Sequence, residues 1–181
     1  MSVETITLGC RLNFAESEAM KAGAAPGTVI INSCAVTGEA VRQTRQAIRR
    51  ARRDRPDARI IVAGCAAQLE PESFAAMPEV SEVLTRDFKV PPRVAAGFRH
   101  RVRSFVAVQT GCDHRCTFCT IWQARGPSVT LPYPAVRDAV ARELDTGARE
   151  IVLTGVDITS VEGGLGRLCV RLLNDLPSLK R

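Results

Sequence analysis

A short β-type run that leads into a cysteine occurs three times in the first 65 residues, and no other feature constrains the fold as much. Val3 to Leu8 alternates β-branched and polar residues and leads into Gly9-Cys10. Thr28 to Ile31 leads into Asn32-Ser33-Cys34, and Arg59 to Ala63 into Gly64-Cys65. Helical signals fill the gaps. Asn13 with Glu16 three residues on reads as a capping box opening a short helix through about Lys21. Thr37 caps a long helix to about Asp54, which Pro56-Asp57 ends; a short helix near Pro71 to Met77 and a weak strand near Glu82 to Leu84 complete the unit. This alternation predicts an α/β fold with a Rossmann-like parallel sheet. Such sheets collect ligands where loops leave the carboxyl ends of the strands. With neighbouring strands about 4.8 Å apart, Cys10, Cys34 and Cys65 can converge on one sheet edge. Single cysteines are often buried and unreactive, but three placed equivalently favour a cluster site.

The remaining cysteines sharpen this reading. Cys112, Cys116 and Cys119 are spaced C-x3-C-x2-C on a loop opened by Gly111. Thiols this close can ligate one centre, and three ligands are one short of a closed zinc site. Zinc stays open as an alternative through His114, although its place between Cys112 and Cys116 makes simultaneous tetrahedral ligation awkward. Cys169 lies among Leu165, Leu168, Leu172 and Leu173 and is expected in the core.

This loop begins a second α/β stretch. Ser104 to Val108 reads as a strand feeding it, Pro134 to Asp145 as a helix, Glu150 to Leu153 as a strand and Gly166 to Leu176 as a helix. Phe88 to Arg103, with two prolines, a glycine and several basic residues, reads as a linker. The expected organisation is therefore an N-terminal domain over 1–87, a linker over 88–103 and a second domain over 104–181.

Composition excludes some classes. The chain has no basic, apolar leader at its start and no run of the roughly 18 apolar residues that a membrane helix needs. A cytoplasmic location is expected, where thiols stay reduced and seven cysteines point to metal or redox chemistry. A net charge of +6 leans toward anionic partners. The helix after Thr37 supplies a candidate RNA surface. At 100° per residue, Arg42, Arg45, Arg49, Arg52 and Arg53 share one stripe, opposite Ala40, Val41, Ala47, Ile48 and Ala51. A solvated helix face is the alternative.

The C-x3-C-x2-C motif, with Phe118 before its last cysteine, resembles that of the radical S-adenosylmethionine (SAM) enzymes. The stretches LGCRLNFAESEAM, INSCAVTGEAVRQTRQAIRRA and IIVAGCAAQ look like the N-terminal domain of the methylthiotransferases. CAVT around Cys34, with the Gln/Arg-rich helix after it, is most similar to the tRNA branch that acts on N6-threonylcarbamoyladenosine. The resemblance implies that Cys10, Cys34 and Cys65 hold an auxiliary 4Fe-4S cluster. It implies that Cys112, Cys116 and Cys119 hold a second one whose open iron chelates SAM. Thr154 and Gly155 then sit where radical-SAM folds contact the SAM amino group. The second domain would be the first two βα units of a partial TIM barrel. The implied reaction adds a methylthio group to carbon-2 of the adenosine next to the anticodon. The implied partners are a tRNA anticodon stem-loop and a reductant such as flavodoxin. A ribosomal-protein methylthiotransferase is the runner-up, and a non-catalytic iron–sulfur or RNA-binding module is the alternative of another class.

The chain departs from the family pattern in three places. Trp122 stands where the family has a proline. Val129, Thr130 and Leu131 stand where it tends to carry arginines. The chain ends after two βα units, without the family's RNA-binding β-barrel, which reads as a truncation.

Overall fold

The computed structural model describes residues 2–90, 92–97 and 102–181. Its first unit is built on a parallel sheet. The strands are β1 (Glu4–Thr7), β2 (Thr28–Ser33), β3 (Arg59–Gly64) and β4 (Glu82–Val83), adjacent in that order. The connecting helices are α1 (Arg11–Gly23), α2 (Gly38–Asp54), α3 (Cys65–Leu69) and α4 (Pro71–Ala75). Every residue of β2 is buried, as expected for a central parallel strand covered on both faces. Val29, Ile31, Ile60 and Val62 pack against Ile48, Ala66 and Phe74. Aromatics make up only 4% of the chain, so aliphatic side chains dominate this core.

Helix α2 shows how local chemistry sets an element. Its N-cap is Thr37, whose hydroxyl accepts the Ala40 amide at 3.1 Å. Val41, Thr44, Ile48 and Ala51 recur at helical spacing on the core side. Thr44 is the unexpected member, and its hydroxyl donates to the Ala40 carbonyl at 2.9 Å. Removing the cap hydroxyl by Thr37→Ala is expected to cost about 1 kcal/mol of stability, read as a lower denaturant midpoint with an unchanged slope.

The remainder comprises β5 (Ala96–Gly97), β6 (Arg103–Ala107), β7 (Gln109–Thr110), α5 (Ile121–Arg125), β8 (Val129–Thr130), α6 (Tyr133–Asp145), β9 (Glu150–Thr154), a 3-10 turn (Ile158–Ser160) and α7 (Leu165–Asp175). β6 and β9 are parallel with α6 between them, β5 joins β6 antiparallel, and β7 pairs antiparallel with β8. Leu12 and Ala15 of α1 enter the same core as Val106, Val108, Val136 and Val140. The two halves therefore share buried surface.

Several expectations are corrected here. Helix α1 begins at Arg11 with Cys10 as its N-cap, and no side chain caps it. Asn13 lies inside the helix, not at its start. Part of the expected linker is folded: Ala95 is buried and Ala96–Gly97 pairs with β6, while 91 and 98–101 lie outside the described residues. Cys169 is half-buried, not core, because α7 turns only Leu172 fully inward. β9 lies at the edge of its sheet, and its Ile151 amide donates to the Arg181 carbonyl at 2.7 Å.

Candidate functional site

Strand register decides where the first three thiols fall. Asn32 pairs with Thr7 on one side and with Ala63 on the other, and Ser33 pairs with Gly64. Continuing that register places Cys34 beside Cys65, and Gly9 beside Cys34. The packing agrees, because a Cβ on Gly9 would lie 3.0 Å from the Cys34 Cβ. Cys10, Cys34 and Cys65 thus leave three adjacent parallel strands at one edge. Cys65 is buried, Cys34 half-buried and Cys10 exposed.

Asn13 organises this edge. It is 1% exposed, and its Nδ2 donates to the carbonyls of Leu8 at 3.0 Å and Ser33 at 2.9 Å. These carbonyls flank the turns that carry Cys10 and Cys34. Its Oδ1 accepts from the Cys10 thiol at 3.3 Å and from Arg125 at 2.7 Å. Arg125 comes from α5 in the other half and is 6% exposed. Its Nη1 and Nη2 donate to the two Glu16 oxygens at 2.7 and 3.1 Å. Burial opposes the Arg125 charge, but the Glu16 carboxylate outweighs it and holds the guanidinium above its ordinary value. Burial likewise pushes the Cys65 thiol up; Arg125 opposes this, while Glu16 adds to it. A cavity of about 290 Å³ opens beside them, lined by Glu16, Met20, Cys65, Gln68, Arg86 and Arg125.

The C-x3-C-x2-C loop is held at its two ends. The Cys112 amide donates to the Gly126 carbonyl and the Cys119 amide to the Cys116 carbonyl, both at 3.0 Å. Gly111 has φ +74°, and a Cβ there would lie 1.8 Å from the Pro127 carbonyl oxygen. The closing strand passes where any side chain would be. Beneath the loop lies Gln109, 0% exposed. Its Nε2 donates to the carbonyls of Thr110 at 3.0 Å and Gly111 at 2.7 Å and to the Ser128 hydroxyl at 2.9 Å. Its Oε1 accepts the amides of Val156 and Asp157 at 2.9 and 2.8 Å. One side chain therefore ties the cysteine loop to the turn that starts at Gly155, directly after Thr154 ends β9. His114 turns toward this same turn, with Nε2 3.4 Å from the Asp157 carboxylate.

Phe118 stands at the loop tip, 91% exposed. Trp122 lies on α5 with the Arg115 guanidinium 4.9 Å from its ring centre. Together with Cys116 and Cys119 these residues line an open cavity of about 280 Å³. Neither triad has its sulfurs gathered as for a single ion: among the described residues no three His, Cys, Asp or Glu side chains form such a group. The donor chemistry nonetheless suits iron, because six thiols in two loop-borne triads are soft ligands of the kind that hold iron–sulfur clusters.

The predicted arginine stripe divides in the structure. Arg42 is engaged by Glu39, with Nε–Oε2 at 2.7 Å. Arg45 donates to Glu70 and Ser73, each at 2.9 Å, above the Phe74 ring. Arg52 donates to the carbonyls of Pro56, Ala58 and Glu79. Arg49 and Arg53 are exposed one helical turn apart.

Residues 2–85 match the model of Uncharacterized protein family UPF0004. A threonylcarbamoyladenosine tRNA methylthiotransferase MtaB from Rickettsia prowazekii is 35% identical, covering 98% of this chain and 50% of that protein. Over nearly its whole length this chain is therefore similar to a protein named as a tRNA methylthiotransferase. The Bacillus subtilis protein of the same name is 33% identical over 83% of this chain and 42% of its own length. A tRNA-2-methylthio-N(6)-dimethylallyladenosine synthase from Anaeromyxobacter dehalogenans is 28% identical over 87% and 43%. The chain thus spans about half the length of these relatives or less. Among the described residues no helix is long and apolar enough to cross a membrane.

The reading from sequence alone missed Gln109 and the reach of Arg125. A lone glutamine ending the apolar run Phe105–Val108, just before the Gly-Cys loop, was the available signal for the first.

Proposed function

We propose that this chain carries the two cluster-binding segments of a radical-SAM tRNA methylthiotransferase. The substrate is N6-threonylcarbamoyladenosine next to the anticodon, modified at carbon-2. The observation that carries this reading is the placement of two cysteine triads. One sits at the carboxyl edge of a parallel sheet, the other on the loop after β7, and Arg125 bridges their supports. Relatives named for tRNA modification favour this branch over the ribosomal-protein one.

Cys10, Cys34 and Cys65 would hold the auxiliary 4Fe-4S cluster, and Cys112, Cys116 and Cys119 the SAM-binding one. When bound, these groups supply reductive cleavage of SAM and the sulfur that is transferred. The chain's own residues do the positioning. Gln109 fixes the loop against the turn after β9, which supports a role for the adjoining Thr154 and Gly155 in contacting SAM at the second triad. Phe118 and Trp122 offer aromatic faces next to Cys116 and Cys119, which suits an adenine ring. The ion pair of buried Arg125 with half-buried Glu16 holds α5 against α1 beside the first triad. A reductant such as flavodoxin would act from outside, in the cytoplasm. Under dithionite the reconstituted chain should convert SAM to 5′-deoxyadenosine, and Cys112→Ala should abolish this. No cleavage by a fully loaded chain would leave a binding module instead.

The tRNA surface has its own test. Arg49 and Arg53 present two charges one turn apart without the intramolecular partners of Arg42, Arg45 and Arg52. Changing both to Glu should weaken binding of an anticodon stem-loop and reduce its log–log salt slope by roughly 1.5. An unchanged slope would remove this helix from the interface.

A further inference from the structure

Arg125 has an unusual place in this molecule. By sequence it belongs to the C-x3-C-x2-C segment, six residues after Cys119. Its next residue, Gly126, accepts the Cys112 amide. Its side chain, however, reaches the other triad. One nitrogen is shared between Asn13 and Glu16, the second serves Glu16 alone, and Asn13 in turn accepts from the Cys10 thiol. Cys65 lines the same cavity wall as Arg125 and Glu16. Covalent closeness to one triad and physical contact with the supports of the other are hard to explain by folding needs alone. A hydrophobic side chain of similar volume would seal the α1–α5 contact without burying a guanidinium, and such replacements are often neutral or stabilising.

We propose that Arg125 is a positioning residue for the Cys10, Cys34 and Cys65 triad, holding its turns through Asn13 and setting the reduction potential of the cluster they bind through its buried charge. This rests on the proposed function, because it needs that cluster. The physics is direct. A reduced cluster carries one more negative charge, so a fixed cation nearby favours reduction and a fixed anion opposes it. Burial leaves the Arg125 charge poorly screened, while the Glu16 side chain, 28% exposed, is screened more. Glu16 and Arg125 are therefore expected to act with opposite signs, a result that loosened packing would not produce.

The test uses the full chain with Cys112, Cys116 and Cys119 changed to Ala, so that one cluster remains, and measures its midpoint potential by redox titration. Arg125→Gln should move the potential to more negative values, Glu16→Gln to more positive values, and Arg125→Lys should stay closest to the parent. Unmoved potentials, or shifts of the same sign in both glutamine variants, overturn the inference. Should a single variant not fold, the doubly neutral Glu16→Gln/Arg125→Gln chain leaves no buried charge unpaired. Its potential should lie above that of Arg125→Gln and below that of Glu16→Gln, whichever of the two folds. The reverse order overturns the inference. Iron failing to bind this triad in the parent overturns the proposed function and the inference together, whereas iron bound with unmoved potentials overturns the inference alone.

Discussion

Gln109→Leu is expected to lower the unfolding midpoint by roughly 10 °C, which corresponds to a loss of about 4 kcal/mol. The side chain is isosteric enough to fill the space, so cavity formation is not the source. Five hydrogen bonds vanish instead, three donated by Nε2 and two accepted by Oε1. The Ser128 hydroxyl keeps a partner in Ser160 at 2.8 Å, and some carbonyls can turn toward water. The Val156 and Asp157 amides, part-buried, would face an apolar side chain in place of their Gln109 acceptor, and each amide orphaned away from water costs about 1–3 kcal/mol. Differential scanning calorimetry of the ligand-free chain measures the effect. A shift of only a degree or two would show that these groups rehydrate freely and that Gln109 does not fasten the loop.

Gly111→Ala should separate the two triads functionally. At φ +74° an alanine already costs about 1–2 kcal/mol. Its Cβ would also stand 1.8 Å from the Pro127 carbonyl oxygen, a backbone atom that cannot step aside like the end of a flexible side chain. The closing strand must therefore move away from the entry of the loop, and the Cys112–Gly126 hydrogen bond goes with it. Iron bound after anaerobic reconstitution should drop from about eight to about four per chain, while the Cys10, Cys34 and Cys65 edge keeps its share. Full loading of the variant would show that the loop tolerates the displacement.

The parts of this fold that rest on local repetition were legible from residues alone. Strand-then-cysteine recurs at Cys10, Cys34 and Cys65, and the helical spacing of Val41, Ile48 and Ala51 defines the inner face of α2. What escaped depends on contacts across long separations. Asn13 and Glu16 satisfy the spacing of a capping box, but in the structure Cys10 takes the cap position. Both residues instead serve Arg125, 112 and 109 positions away. Local rules have no means of seeing a partner that distant, so a common local motif stood in for it. Tertiary engagement likewise divided the arginine stripe, because Arg45 and Arg52 found carboxylate and carbonyl partners from the α4 region and the segments after α2. The two-residue strands β7 and β8 carry too few residues to show any period. They are set by loop closure around Gly111.

The Pro-rich stretch from Phe88 shows the limit of composition. Two prolines and a glycine describe a segment that forms no helix among its described residues, but not one that lacks a place. Ala95 is buried, Arg93 lines the cavity of about 290 Å³ beside Glu16, and Ala96 pairs with Val106.

Anaerobic reconstitution with iron and sulfide, followed by metal analysis, decides whether both cysteine triads hold clusters. Two three-cysteine sites predict about eight irons per chain. About four should remain when either Cys10, Cys34 and Cys65 or Cys112, Cys116 and Cys119 are changed to Ala. One stoichiometric zinc that needs His114, with no iron retained at the sheet edge, would contradict the account.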